Sequence, residues 1–69
     1  MIYAYKTTKS ETPMRVVSNG TEISFIIKDA GTYFNCLDIN TETLTRGRHL
    51  LLIYNKDNEI LNSVYIFKE

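Results

Sequence analysis

The sequence predicts an all-β fold, a small antiparallel sandwich or barrel of about six strands occupying residues 1–69 as one domain. Three observations predict it. Apolar residues alternate with polar ones in short runs, and no segment keeps a helical period. Asn19-Gly20 stands between two such runs, and both residues tolerate the positive φ of a type I′ hairpin turn. His49 to Asn55 is nearly continuous in apolar residues, as expected of an interior strand, and a turn and a closing apolar strand follow it.

The elements follow in order. Residues 1–6 alternate with Tyr3 and Tyr5 on one face, and Thr7 to Pro13 is a polar loop ended by proline. Met14 to Ser18 and Thr21 to Asp29 form a hairpin about Asn19-Gly20, with Ile23, Phe25 and Ile27 on one face of the second strand. Ala30-Gly31 turns the chain into Thr32 to Ile39, where Tyr33, Leu37 and Ile39 oppose Phe34 and Cys36. Asn40 to Arg48 is a polar loop with Leu44 as its apolar anchor and room for one short helix over Thr41–Thr45. Lys56-Asp57-Asn58-Glu59 is the turn into Ile60 to Phe67. The first and last strands are expected at sheet edges, where an uncharged strand is either covered by its own fold or open to pairing with a partner.

Composition bounds what such a domain does. A chain of 69 residues with 43% hydrophobic and 23% charged residues folds rather than solvates. Its single cysteine, Cys36, excludes an internal disulfide, and no metal-ligand pairs such as C-x-x-C occur. A core of this size supplies only about 3–5 kcal/mol, so self-association or docking onto a larger assembly is expected. Net charge is zero, so no overall field steers the protein toward nucleic acid or anionic membrane. The first residues lack the basic and apolar regions of a signal peptide, and no apolar run reaches the ~20 residues of a membrane span. A cytoplasmic site in the producing cell, or a virion assembled there, is the expected location. Abundant Ile, Asn, Lys and Tyr, with alanine only at Ala4 and Ala30, point to an AT-rich gene of the bacterial or phage type.

Two stretches resemble parts of immunoglobulin-like sandwiches. Asp29-Ala30-Gly31-Thr32-Tyr33 is similar to the D-x-G-x-Y corner of that family. The family's cysteine falls two residues after the tyrosine, where this chain has Asn35. Cys36 is one place late, on the opposite strand face, and there is no tryptophan. Gly47-x-His49-x-Leu51-x-Ile53 with Asp57 and the closing strand resembles the last hairpin of small Ig-like modules of bacterial and phage surface and virion proteins. That second resemblance covers about the last third of a chain well short of the roughly 100 residues of the fold. It implies a binding or structural module whose function lies in exposed loops.

The chemistry-bearing residues are few. With strands 32–39 and 49–55 paired, Cys36 and His49 would stand roughly 10 Å apart at strand rise, too far for a nucleophilic dyad. Asp38 and Glu42 can approach each other but gain no third ligand, and Asp57-Asn58-Glu59 is turn chemistry. No catalytic, cofactor or metal site is therefore expected. Arg46-Gly47-Arg48-His49 is the compact basic patch, and five tyrosines are many for this length. Tyrosine and arginine are favoured interface anchors. Expected partner-binding residues are Tyr3, Tyr5, Arg46, Arg48 and His49. The expected function is non-enzymatic: a protein-interaction module docking through an edge strand and loops. The setting expected for it is that of a small phage-type accessory protein, either a virion decoration or tail component or an inhibitor of a host protein. The alternative is a small nucleic-acid-binding barrel using Arg46, Arg48, Lys6, Lys9 and Arg15.

Overall fold

The computed structural model describes residues 1–7, 11–31 and 33–69; Lys9 of the basic set and Thr32 of the Asp29–Tyr33 stretch lie outside the described residues. The chain is all-β, as the alternation predicts, and among the described residues it forms seven strands and no helix. They are β1 (Ile2–Lys6), β2 (Arg15–Ser18), β3 (Thr21–Ile23), β4 (Phe25–Ala30), β5 (Phe34–Ile39), β6 (Gly47–Tyr54) and β7 (Ile60–Lys68). Two antiparallel sheets result. The smaller has the order β1-β5-β4, and the larger has the order β3-β2-β6-β7.

The β2–β3 hairpin closes as its sequence requires, with Asn19 at φ 50° and Gly20 at φ 78°. β6 lies inside its sheet, between β2 and β7, and β1 and β7 are edges. Three expectations change. The run Thr21–Asp29 is two strands, because the chain leaves the larger sheet at Ser24 and continues in the smaller one. The N–H of Asn40 donates to the Ser24 carbonyl at 2.9 Å, which holds this corner. β5 and β6 do not pair; they belong to different sheets, and β6 pairs instead with β2 and β7. The Thr41–Thr45 stretch is a single turn closed by Leu44 N–H on the Thr41 carbonyl at 3.1 Å, too short to propagate as a helix.

The core sits between the sheets. Tyr5, Leu37 and Ile39 come from the smaller sheet, and Val16, Ile23, Leu51 and Ile53 from the larger; each is at most 5% exposed. Leu44 packs against this cluster from its loop, as its apolar side chain predicts. Asn35 is buried, and Cys36 is half-buried on the outer face between Ala4 and Asp29.

Candidate functional site

Alternation along β6 and β7 decides what the larger sheet shows to solvent. Leu51 and Ile53 point inward, so Arg48, Leu50, Leu52 and Tyr54 point outward. Opposite them on β7 stand Phe67 against Arg48, Tyr65 against Leu50 and Ser63 against Leu52. On β2, Val17 faces Leu52 and Arg15 faces Tyr54. Nothing among the described residues covers this face: Phe67 is 73% exposed and Tyr65 61%.

Two arginines frame it. The Arg48 guanidinium lies 4.7 Å from the Tyr65 ring centroid, and that of Arg15 lies 5.0 Å from the Tyr54 centroid. Such stacking is worth about 0.5–1 kcal/mol where exposed, and it spreads each long side chain flat over its ring. Arg15 is further held by Glu22 at 3.3 Å and by Asn58 Oδ1 at 2.7 Å. Arg48 takes part in neither of the two ion pairs among the described residues, Met1–Asp38 and Arg15–Glu22. Between Arg48 and the Asn19-Gly20 turn the face dips into a depression of about 610 Å³ floored by Val17, Leu50 and Leu52. The result is an apolar, aromatic strip with cationic ends, suited to contact rather than to bond making.

Of the five residues expected at an interface, Arg48 stands in this face and Arg46 is exposed in the loop just before β6. His49 points the other way. Its Nε2–H donates to the Thr45 carbonyl at 2.8 Å, and the ring is half-buried. Tyr3 and Tyr5 turn inward, because the inner face of β1 is the one that alternation aims at the core. Tyr5 is 5% exposed and accepts a hydrogen bond from Asn35 Nδ2 at 3.1 Å. Tyr3 donates to Asn62 Oδ1 at 2.5 Å, tying β1 across to β7. The rings are stacked at 5.8 Å. Tyr5 is closed into the core and Tyr3 is half-buried at its edge, and through Asn62 the pair joins the two sheets.

Burial raises both phenols above the usual tyrosine value, and for Tyr5 the Asn35 hydrogen bond opposes this while Tyr3 adds to it. A raised folded-state value means that the native protein keeps its phenolic protons longer than the unfolded chain does. The associated stability is complete below a pH of about 10 and is lost as pH rises through the folded values. The melting temperature is therefore expected to fall in alkaline solution, and to fall less steeply in Tyr5→Phe. Parallel curves for the two proteins from pH 8 upward, to about 11.5, would show that Tyr5 is not the group responsible.

The other sequence candidates take separate partners. Cys36 and His49 are on different sheets, so the geometry assumed for them does not occur. Asp38 Oδ1 takes the Met1 ammonium at 3.1 Å, and Glu42 engages Asn40 through its backbone N–H. Among the described residues no group of three His, Cys, Asp or Glu side chains is placed to hold a metal ion. No helix among the described residues is long and apolar enough to cross a membrane. Lys6 lies on the smaller sheet, away from Arg48 and Arg15 on the larger, so the basic residues do not form one stripe.

Sequence reasoning missed Leu50, Leu52, Tyr65 and Phe67 as one surface. The signal was present: β6 is apolar on both faces, which requires a cover on each, and the fold supplies one. Fold and surface together describe a small two-sheet β domain with an uncovered aromatic–arginine face. No protein-family model matches the chain, and no curated protein or solved structure is similar to it.

Proposed function

We propose that this protein is a non-enzymatic binding module that docks another protein on the outer face of its larger sheet. The observation that carries the reading is the contiguous strip of Leu50, Leu52, Tyr65 and Phe67 with Arg48 stacked on Tyr65. Contiguous exposed apolar surface rimmed by polar groups marks interaction sites, and Tyr and Arg dominate interface energetics. The uneven scatter of basic residues over both sheets favours a protein over a nucleic acid. A phage-type accessory role, decorating a particle or capping a host protein, suits the small size and the composition of the chain.

The test is retention of a protein from an extract of the producing cells on the immobilised domain. Arg48→Ala with Phe67→Ser is expected to abolish it while leaving the melting temperature within a few degrees, because both side chains lie outside the core. Equal retention by both proteins removes this face from the reading. Retained material that is nucleic acid and leaves steeply with salt would instead establish the alternative.

A further inference from the structure

Among the described residues the two sheets present four edges, and three of them carry the devices that stop strands from pairing with other chains. β1 ends in Lys6. β4 is broken by a bulge between Ile27 and Asp29 and carries Lys28 there. β3 is three residues long with Glu22 at its centre. β7 is different. It runs nine residues with its one charge, Lys68, at the very end, and is regularly paired with β6 from Lys68 back to Asn62, the register shifting only near Ile60. No strand among the described residues pairs with its other side.

We propose that β7 pairs antiparallel with β7 of a second copy of this chain, joining two four-stranded sheets into one continuous sheet. The proposal rests on reading the outer face of the larger sheet as a docking surface, and it names what the edge of that surface takes. The strand is complementary to itself. A two-fold axis perpendicular to the sheet keeps outer residues beside outer residues, so positions of the same parity must meet. With Tyr65 opposite the partner's Tyr65, Val64 faces the partner's Ile66, Ser63 faces the partner's Phe67, and Asn62 faces the partner's Lys68. On the inner side Val64 meets Ile66 with the polar Asn62–Lys68 pair beyond, no like charges meet along the seam, and Val64 and Ile66 already pack against the core.

On the outer side the two Tyr65 rings and two Phe67 rings form one cluster, with an Arg48 lying over each tyrosine. At about 200 Å² per aromatic side chain, the exposures of Phe67 and Tyr65 leave on the order of 270 Å² in each copy for this cluster. The two copies together thus bring on the order of 540 Å² of aromatic surface to the seam, and the paired backbone strip adds to it toward the roughly 1,000 Å² of a specific interface. A charged foreign strand would find no opposite charge along this edge, whereas a second copy needs none.

Sedimentation equilibrium from about 1 µM to about 1 mM reads the association directly. The mass is expected to rise from monomer to dimer, and to stay monomeric for Ser63→Lys with Tyr65→Lys, which sets like charges against each other across the axis. Both positions are exposed, so the variant keeps its fold. Hydrogen exchange on the unmodified protein gives a second reading, with amide protection in β7 rising with concentration while that of β1 does not. A protein that stays monomeric throughout, or a lysine variant that dimerises like the parent, overturns the proposal. A monomer that still holds its partner through Arg48 and Phe67 overturns self-pairing alone and leaves the docking face standing.

Discussion

Leu51→Ala is expected to lower the unfolding free energy by about 3 kcal/mol, within the 2–5 kcal/mol typical of leucine truncation in a packed core. Leu51 is 0% exposed, sits in the middle of β6, and faces a core built from seven buried residues. The cost is the lost transfer energy of the side chain plus the cavity that its rigid surroundings cannot close. A domain of 69 residues has about 3–5 kcal/mol to lose, so the variant should be largely unfolded at 37 °C. Leu52, one residue along, faces the opposite side of the sheet and is half-buried. Leu52→Ala should cost under about 1 kcal/mol, as truncations outside the core do. Urea unfolding followed by circular dichroism separates the two. A larger loss for Leu52→Ala would mean that β6 is shifted by one residue from the register described, and equal losses would mean that both of its faces are covered.

Asn55→Ala is expected to cost about 2–3 kcal/mol, a large effect for a residue in a turn. The side chain is 5% exposed and all its hydrogen-bonding capacity is used. Oδ1 accepts from the N–H groups of Asp57 and Glu59, each at 2.9 Å. Nδ2 donates to Glu11 Oε2 at 3.0 Å and to Glu59 Oε1 at 3.3 Å. One amide therefore shapes the β6–β7 turn and fastens it to the segment leading into β2. Removing it strands two part-buried N–H groups and the two carboxylates that Nδ2 bridges. Asn55→Asp separates the contributions, because it keeps the acceptor for both N–H groups but places a third carboxylate against Glu11 and Glu59. It should fail at neutral pH nearly as badly as alanine and recover in acid. An aspartate variant as stable as the parent at pH 7 would show that the donor half contributes nothing.

What was legible in the sequence was local. The Asn19-Gly20 hairpin needs only two residues willing to take positive φ, and both are adjacent in the chain. The interior place of β6 and the edge places of β1 and β7 follow from hydrophobicity and from order along the chain. The break at Ser24 was hidden because Ile23, Phe25 and Ile27 keep the same alternation through the corner, so periodicity sees one strand where two sheets are served. The partners of β6 were hidden because pairing with β2 brings Arg15 to Tyr54, a match no local pattern encodes. Tyr3 and Tyr5 read equally well as core or as surface until the sheet beneath them is known. The role of Asn55 was within reach, since an asparagine two residues before Asp57 is the pattern of a side chain capping a turn.

The corner at Ser24 also governs how the chain acquires its structure. The polypeptide leaves the larger sheet after Ile23, enters the smaller one at Phe25, and returns to the larger one at Gly47. Neither sheet is a separable unit of chain, and both are closed by pairings distant in sequence, such as Ile2 with Asp38 and Arg15 with Tyr54. The β2–β3, β4–β5 and β6–β7 pairs can form from neighbouring stretches of chain, but the two pairings that close the sheets cannot. Dependence on those long-range pairings places folding in the millisecond-to-second range, far slower than a helical chain of this length. It also makes the transition all-or-none, since losing one sheet withdraws the strand that anchors the other.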